Sequence, residues 1–242
     1  MHHYSTLKKL TLRSLCLVWL TLTGLCAGTS ALYAQKTEDW ANYARYAEDN
    51  ERLLAQIQED PLARPEVIFM GNSITQNWAK FRPEFFQENP YLGRGISGQV
   101  TAQMLARFQR DVVDFAPAKT VILAGINDIA ENQGPIALEN IAGNIKSMGE
   151  IAEANGIEPI LCSVLPCARL SWRPDLEPAT AVVALNRLLK AIADEKGWLY
   201  VDFYSILDDG QGGLSQEHSK DGCHPNVQAY LLMEALLMEV LQ

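Results

Sequence analysis

The chain has 242 residues and a mass of 26.9 kDa, with 48% hydrophobic and 20% charged residues. That length suits one or two domains, and the apolar fraction excludes wholesale disorder. Twenty basic against twenty-nine acidic residues give a net charge of −9, which repels phosphate backbones and anionic bilayers and argues against non-specific nucleic-acid binding.

The first segment does not read as part of a fold. Lys8, Lys9 and Arg13 precede an apolar stretch over 15–25, and the small residues Ala27, Gly28, Thr29, Ser30 and Ala31 follow. That order predicts a secretory signal over 1–34, cleaved after Ala34, and a single exported domain over 35–242, periplasmic or extracellular. A retained anchor is the alternative, but the run falls short of the ~20 residues a spanning helix needs. A lipid anchor on Cys26 is another, though Thr23-Gly24-Leu25 ahead of it is a poor lipidation signal. Cleavage leaves 17 basic against 29 acidic residues, a net charge of −12. It also leaves Cys162, Cys167 and Cys223, an odd count without CxxC spacing. They read as small packing residues of core or loop rather than a disulfide framework or zinc site.

The remaining chain alternates between two periodicities. Residues 38–58 are polar and helix-prone, include Trp40, Tyr43, Leu53, Leu54 and Ile57, and are closed by Asp60-Pro61. Residues 66–70 form a short apolar run that predicts a buried strand, and a weaker strand is expected over 91–96. Helical spacing over 100–115 (Met104, Leu105, Phe108, Val112) ends before Pro117, and the apolar residues 119–124 predict a third strand. A helix over 135–155 stopped by Gly156 precedes a strand over 157–164. Residues 165–178 hold three prolines, Trp172 and two arginines and are read as a long loop. A helix over 179–196, a strand over 198–203, a glycine-rich loop and a helix from Pro225 onward complete the chain.

Five apolar strands separated by helices predict one parallel sheet covered on both faces, a three-layer α/β/α domain. Ligands of such sheets bind beyond the carboxyl ends of the strands. The chemistry is therefore expected just after Met70, Ile96, Ala124, Val164 and Phe203. Gly71-Asn72-Ser73 follows the first strand, and Thr75 in place of a glycine separates it from the G-x-S-x-G elbow. Gly95-Ile96-Ser97-Gly98 follows the second and Gly125-Ile126-Asn127-Asp128 the third. Either glycine, Gly95 or Gly98, can turn a backbone N–H toward a ligand. Asn127 can donate its side-chain NH₂ or cap a turn.

Asp221-Gly222-Cys223-His224-Pro225 precedes the last helix. Beyond the predicted leader only His218 and His224 can serve a serine nucleophile as base. Asp221 can fold back onto the His224 ring and leave Nε2 free to take a proton. His218, among polar neighbours, is expected to be solvated.

Taken in order, these four motifs resemble the SGNH hydrolases, or GDSL esterase/lipase family, over nearly the whole chain from Glu66 onward. The wording is nearest the branch of the platelet-activating-factor acetylhydrolase subunits and bacterial acetyl esterases. The resemblance implies a flavodoxin-like SGNH fold with a five-stranded parallel sheet. It implies Ser73 as nucleophile, Asp221 and His224 as its partners, and Ser73, Gly98 and Asn127 as the oxyanion hole. Gly95 is Gly98's rival for that last place. Asn72 departs from the family, which has Asp before the nucleophile. Such a serine hydrolase needs no metal or organic cofactor. The lack of a long apolar lid and the acidic, exported character suit a short-chain ester, an acetyl group on a sugar or glycan above all. Arg169, Trp172 and Arg173 are candidates for contact with a polar substrate or for loop packing. Lysophospholipids or thioesters are the rival substrates, and a binding module with an idle triad is the rival class. Oligomeric state is not readable from these residues.

Overall fold

The computed structural model describes residues 39–241. The expected leader over 1–34 and the alternative lipid anchor on Cys26 lie outside them. Five strands, β1 (Val67–Gly71), β2 (Tyr91–Gly95), β3 (Lys119–Leu123), β4 (Glu158–Cys162) and β5 (Leu199–Val201), form one sheet in the order β2-β1-β3-β4-β5. Every neighbouring pair is parallel. The expected five-stranded parallel sheet is what the chain forms.

Nine α-helices cover the sheet among the described residues: α1 (Ala47–Glu59), α2 (Ser73–Phe81), α3 (Pro83–Gln87), α4 (Thr101–Asp111), α5 (Ile126–Ile129), α6 (Leu138–Ala154), α7 (Pro178–Lys196), α8 (Phe203–Leu207) and α9 (Val227–Leu241). Right-handed crossovers put α2 and α3 on one face and α4, α6 and α7 on the other, because the chain runs left from β1 to β2 and then rightward across the sheet. The packing agrees. Helix α6 lies against both α4 and α7, while Trp78 of α2 stacks on Tyr230 of α9, with ring centroids 5.6 Å apart.

β1 is the centre of the core, and its apolar residues are all buried. Phe69 meets Trp78, Phe85 and Phe86 edge-on, an arrangement ring quadrupoles favour over face-to-face stacking. Trp78 is wholly buried, so its indole N–H needs an acceptor. Glu234 of α9 supplies it at 3.0 Å and is itself paired with Arg82 at 2.9 Å.

The structure departs from the sequence expectations where a local cap competes with periodicity. The predicted first helix begins only at Ala47, because Asn42 takes a left-handed conformation (φ 56°) and leaves a short 3₁₀ turn over Tyr43–Arg45. The expected helix over 100–115 breaks at Val112 into α4 and a 3₁₀ turn. The expected fifth strand does not reach Phe203: Asp202 accepts the Ser205 N–H and starts α8. Helices α2 and α3 were not anticipated. Their polar residues (Gln76, Asn77, Glu84, Gln87) hide the few apolar ones that pack inward.

Candidate active site

The strand order reverses between β1 and β3, and the crevice at that switch point collects three of the four motifs. Ser73 is the first residue of α2. Asn72 caps the helix by accepting the Ile74 N–H at 2.9 Å. An Asp would present the same acceptor, so the departure of Asn72 from the family pattern preserves the turn. Ser73 is buried, yet its Oγ faces His224 Nε2 at 2.9 Å.

The other half of the constellation is a turn that organises itself. Asp221 Oδ1 accepts the N–H groups of His224 at 2.8 Å and Cys223 at 3.0 Å, and Asp221 Oδ2 lies 2.7 Å from His224 Nδ1. Partial burial pushes the Asp221 carboxyl up, but the His224 and Cys223 N–H groups and the His224 ring outweigh it and hold Asp221 at about 2. The carboxylate is therefore ionised at neutral pH, and it fixes Nδ1 as the protonated nitrogen. Nε2 is left as an acceptor directed at Ser73. The arrangement can deprotonate a serine.

Gly98 lies beyond β2 in an exposed turn with φ +79°, a conformation that favours glycine, and nothing approaches within 4 Å of where a Cβ would stand. Gly95 has a different role. A Cβ there would stand 2.3 Å from the Gln76 nitrogen and 2.6 Å from the Asn72 oxygen, so this glycine lets α2 pack against β2. Asn127, in α5, is buried, and one of its amide hydrogens goes to the Gln99 carbonyl at 2.9 Å. One N–H remains for other use.

The three residues expected near a substrate separate. The Trp172 ring lies over His224, with centroids 6.0 Å apart, and its indole N–H reaches Asn132 at 3.3 Å. Asn132 in turn donates to the Gly98 carbonyl at 3.2 Å. The Arg173 guanidinium is engaged by Glu131, Asp175 and the Ala130 carbonyl, and it braces the loop. Arg169 lines a second cavity, with Asp209, Ser219 and Gly222, behind the Asp221–His224 turn. His218 corrects the expectation of a solvated ring: it is half-buried, and its Nδ1 is shielded without a hydrogen-bond partner. A groove of about 460 Å³ opens at Ser73 and His224, walled by Asn77 and Phe81 of α2 and by Val227 of α9.

Three supporting residues were missed in the sequence. Ser219 donates its hydroxyl to the His224 carbonyl at 2.8 Å and accepts the Gly222 N–H at 2.9 Å. A serine two positions before an Asp-Gly is a recognisable turn signal. Asp128 accepts both the Thr101 N–H and its hydroxyl, tying α5 to the start of α4. Arg107 is wholly buried and joins Gln99, Asp111 and the Gly71 carbonyl beneath the site.

A sequence model of the GDSL-like lipase/acylhydrolase family matches residues 69–232. A GDSL-like lipase structure from Bacteroides thetaiotaomicron is 41% identical, with a TM-score of 0.77, covering 83% of this chain and 97% of its own. The esterase TesA of Pseudomonas aeruginosa is 27% identical over 165 residues, 66% of this chain and 75% of TesA. An acetylxylan esterase from Geobacillus stearothermophilus shares the fold at 18% identity, with a TM-score of 0.59 over 72% of this chain and 92% of its own. With the sheet, the strand-end motifs and these matches together, the chain belongs to the GDSL-like lipase/acylhydrolase family and is a carboxylic ester hydrolase.

Proposed function

We propose that the protein is a serine esterase that removes short acyl groups, acetyl above all, from sugars or glycans through an acyl-enzyme on Ser73. The observation that carries the proposal is the 2.9 Å approach of Ser73 Oγ to His224 Nε2, with Asp221 2.7 Å from the far side of the ring. His224 takes the Ser73 proton as Oγ attacks the acyl carbonyl, and Asp221 stabilises the imidazolium that results. The N–H groups of Ser73 and Gly98 and the free amide hydrogen of Asn127 stabilise the oxyanion. Donors of this kind act on charge that develops only in the transition state. His224 returns its proton to the leaving alcohol, then activates the water that hydrolyses the acyl-enzyme.

The preference for a short acyl group on a polar alcohol rests on the groove. At about 460 Å³ it is modest, and Phe81 and Val227 offer an apolar wall of only two large side chains. Trp172, 39% exposed beside His224, suits stacking against a sugar ring. The leader expected over 1–34 favours action outside the cytoplasm. No helix among the described residues is long and apolar enough to cross a membrane.

The test is hydrolysis of p-nitrophenyl esters from acetyl to decanoyl, followed by acetylated xylo- and glucosaccharides, with Ser73→Ala as control. The expected result is a preference for acetyl and a fall in kcat on the order of 10⁶ in the variant. A preference for decanoyl esters or lysophospholipids would overturn the substrate assignment. Activity within tenfold of wild type in Ser73→Ala would overturn the nucleophile.

A further inference from the structure

Residues 40–46, ahead of α1, reach into the support of the site. Ala41 and Tyr46 are both buried. The Ala41 carbonyl accepts a side-chain N–H of Gln99 at 2.8 Å, and the Trp40 carbonyl accepts one of Gln103 at 2.6 Å. Tyr46 donates its hydroxyl to the Gly95 carbonyl at 2.5 Å. The turn from β2 to α4 is thus held on both sides of Gly98. Gly98 itself has few contacts: its carbonyl takes Asn132, its N–H donates to no group among the described residues, and nothing stands within 4 Å of where a Cβ would lie. Gln99 is the anchor beside it. Its Oε1 accepts the Arg107 Nε–H at 2.6 Å, its Nε2 is engaged by Ala41, and its backbone carbonyl accepts one amide hydrogen of Asn127 at 2.9 Å. The amide is planar, so holding one hydrogen aims the other.

We propose that Gln99 and Tyr46 are positioning residues for the ester hydrolysis, through which the segment ahead of α1 clasps the turn over 96–99 and aims the Gly98 N–H and the free Asn127 N–H. The proposal rests on the oxyanion hole assigned to Ser73, Gly98 and Asn127 in the esterase reading. Neither residue touches the reacting atoms. Gln99 acts through its carbonyl on Asn127 and through the chain on Gly98, while Tyr46 holds Gly95 at the other end of the turn. Loss of either loosens donors that must meet charge developing only in the transition state, so the rate falls while ground-state binding is unchanged. A displacement of about 1 Å is enough to cost on the order of 10² in rate.

The experiment measures kcat and KM for p-nitrophenyl acetate in the full-length chain and in Tyr46→Phe, Gln99→Met, Asn127→Ala and the pair Gln99→Met/Asn127→Ala, with circular dichroism on each sample. Tyr46→Phe keeps the ring against the Arg94 guanidinium, 4.6 Å from its centroid, and loses only the hydroxyl. Expected are falls in kcat of roughly tenfold in Tyr46→Phe and roughly 10–100-fold in Gln99→Met, with kcat/KM falling equally. Because Gln99 acts through Asn127, the pair should lose far less than the product of the two single losses. Where Gln99→Met does not fold, Tyr46→Phe carries the test. Normal kcat in either folded single variant, beside an impaired Asn127→Ala, would overturn the proposal and leave the oxyanion hole standing. A raised KM with unchanged kcat, or independent losses in the pair, would do the same. Normal kcat in Asn127→Ala would overturn the oxyanion assignment itself, and the proposal with it.

Discussion

Asp128 offers a measurement in which two physical effects oppose each other at one carboxyl group. It is only 2% exposed, and burial pushes it up to about 6, although the Thr101 hydroxyl and N–H that donate to it favour the ion. An unfolded Asp titrates near 3.9. Between these values the folded chain binds more protons than the unfolded chain, so the contribution of Asp128 to stability falls as pH rises through roughly 4 to 6. Above that window the ion costs the fold about 3 kcal/mol, from a shift of about two units at 1.36 kcal/mol each. Asp128→Asn resembles the neutral acid and can still accept from Thr101. It should therefore be more stable than wild type at pH 7.5 by up to about 3 kcal/mol, and most of that advantage should vanish at pH 4.5. Urea unfolding of both proteins at the two pH values measures the difference, and every other titrating group cancels in it. A constant difference would show that burial and hydrogen bonding balance at Asp128. A variant less stable at pH 7.5 than wild type would show that the Thr101 donors win, and would refute the reasoning.

Asp221→Asn should lower kcat by roughly 10⁴, because the amide favours the wrong His224 tautomer while the turn stays intact; circular dichroism and kcat on one sample check both halves. Because Asp221 is held at about 2, any loss of kcat/KM in wild type between pH 7 and 5 must come from another group, and the Asp221→Glu variant should leave the acid limb in place. Asn127→Ala should cut kcat by ~10²–10³ with KM little changed. A lowered thermal midpoint with normal kcat would confine Asn127 to its bond with Gln99. Trp78→Ala should cost roughly 3–5 kcal/mol in denaturant unfolding, since it empties a wholly buried site and removes the donor to Glu234.

How far the sequence could be read depends on the range of the interaction. The strands were legible because Val67-Ile68-Phe69-Met70 and their counterparts are buried on both faces, and such strands are apolar without alternation. The segments bearing Ser73, Gly98 and Asn127 were legible as candidates because the sheet topology puts ligands at strand ends, whereas their individual roles were implied only by the resemblance to the SGNH hydrolases. The helix α2 was not, because its start depends on one cap, Asn72, and its inward face on Trp78, whose hydrogen-bond acceptor Glu234 lies 156 residues away in α9. Arg107 was opaque for a related reason. With Asp111 it has the i, i+4 spacing of an ordinary surface ion pair. Only tertiary packing reveals that the pair lies beneath the site, where Gln99 and the Gly71 carbonyl take up the remaining donors. The placement of Arg173 was equally invisible, since its acidic neighbours Glu131 and Asp175 come from two different segments.

The same distinction explains how the two halves of the site are held in register. The Asp221–His224 turn is local, since its hydrogen bonds span no more than five residues and would form in a short peptide of the same conformation. Ser73 is positioned by β1 and α2, 151 residues earlier in the chain. What joins them is α9, which begins three residues after His224 and returns across α2. There Tyr230 donates its hydroxyl to the Ile74 carbonyl at 2.8 Å, one residue beyond Ser73, and stacks on Trp78. A shift of α9 along α2 would therefore move His224 relative to Ser73 by a similar amount, and a displacement of about 1 Å can cost on the order of 10² in rate. Under the proposed mechanism the buried Trp78, Tyr230 and Glu234 thus bear on catalysis without touching a substrate. They set the distance over which the proton must travel.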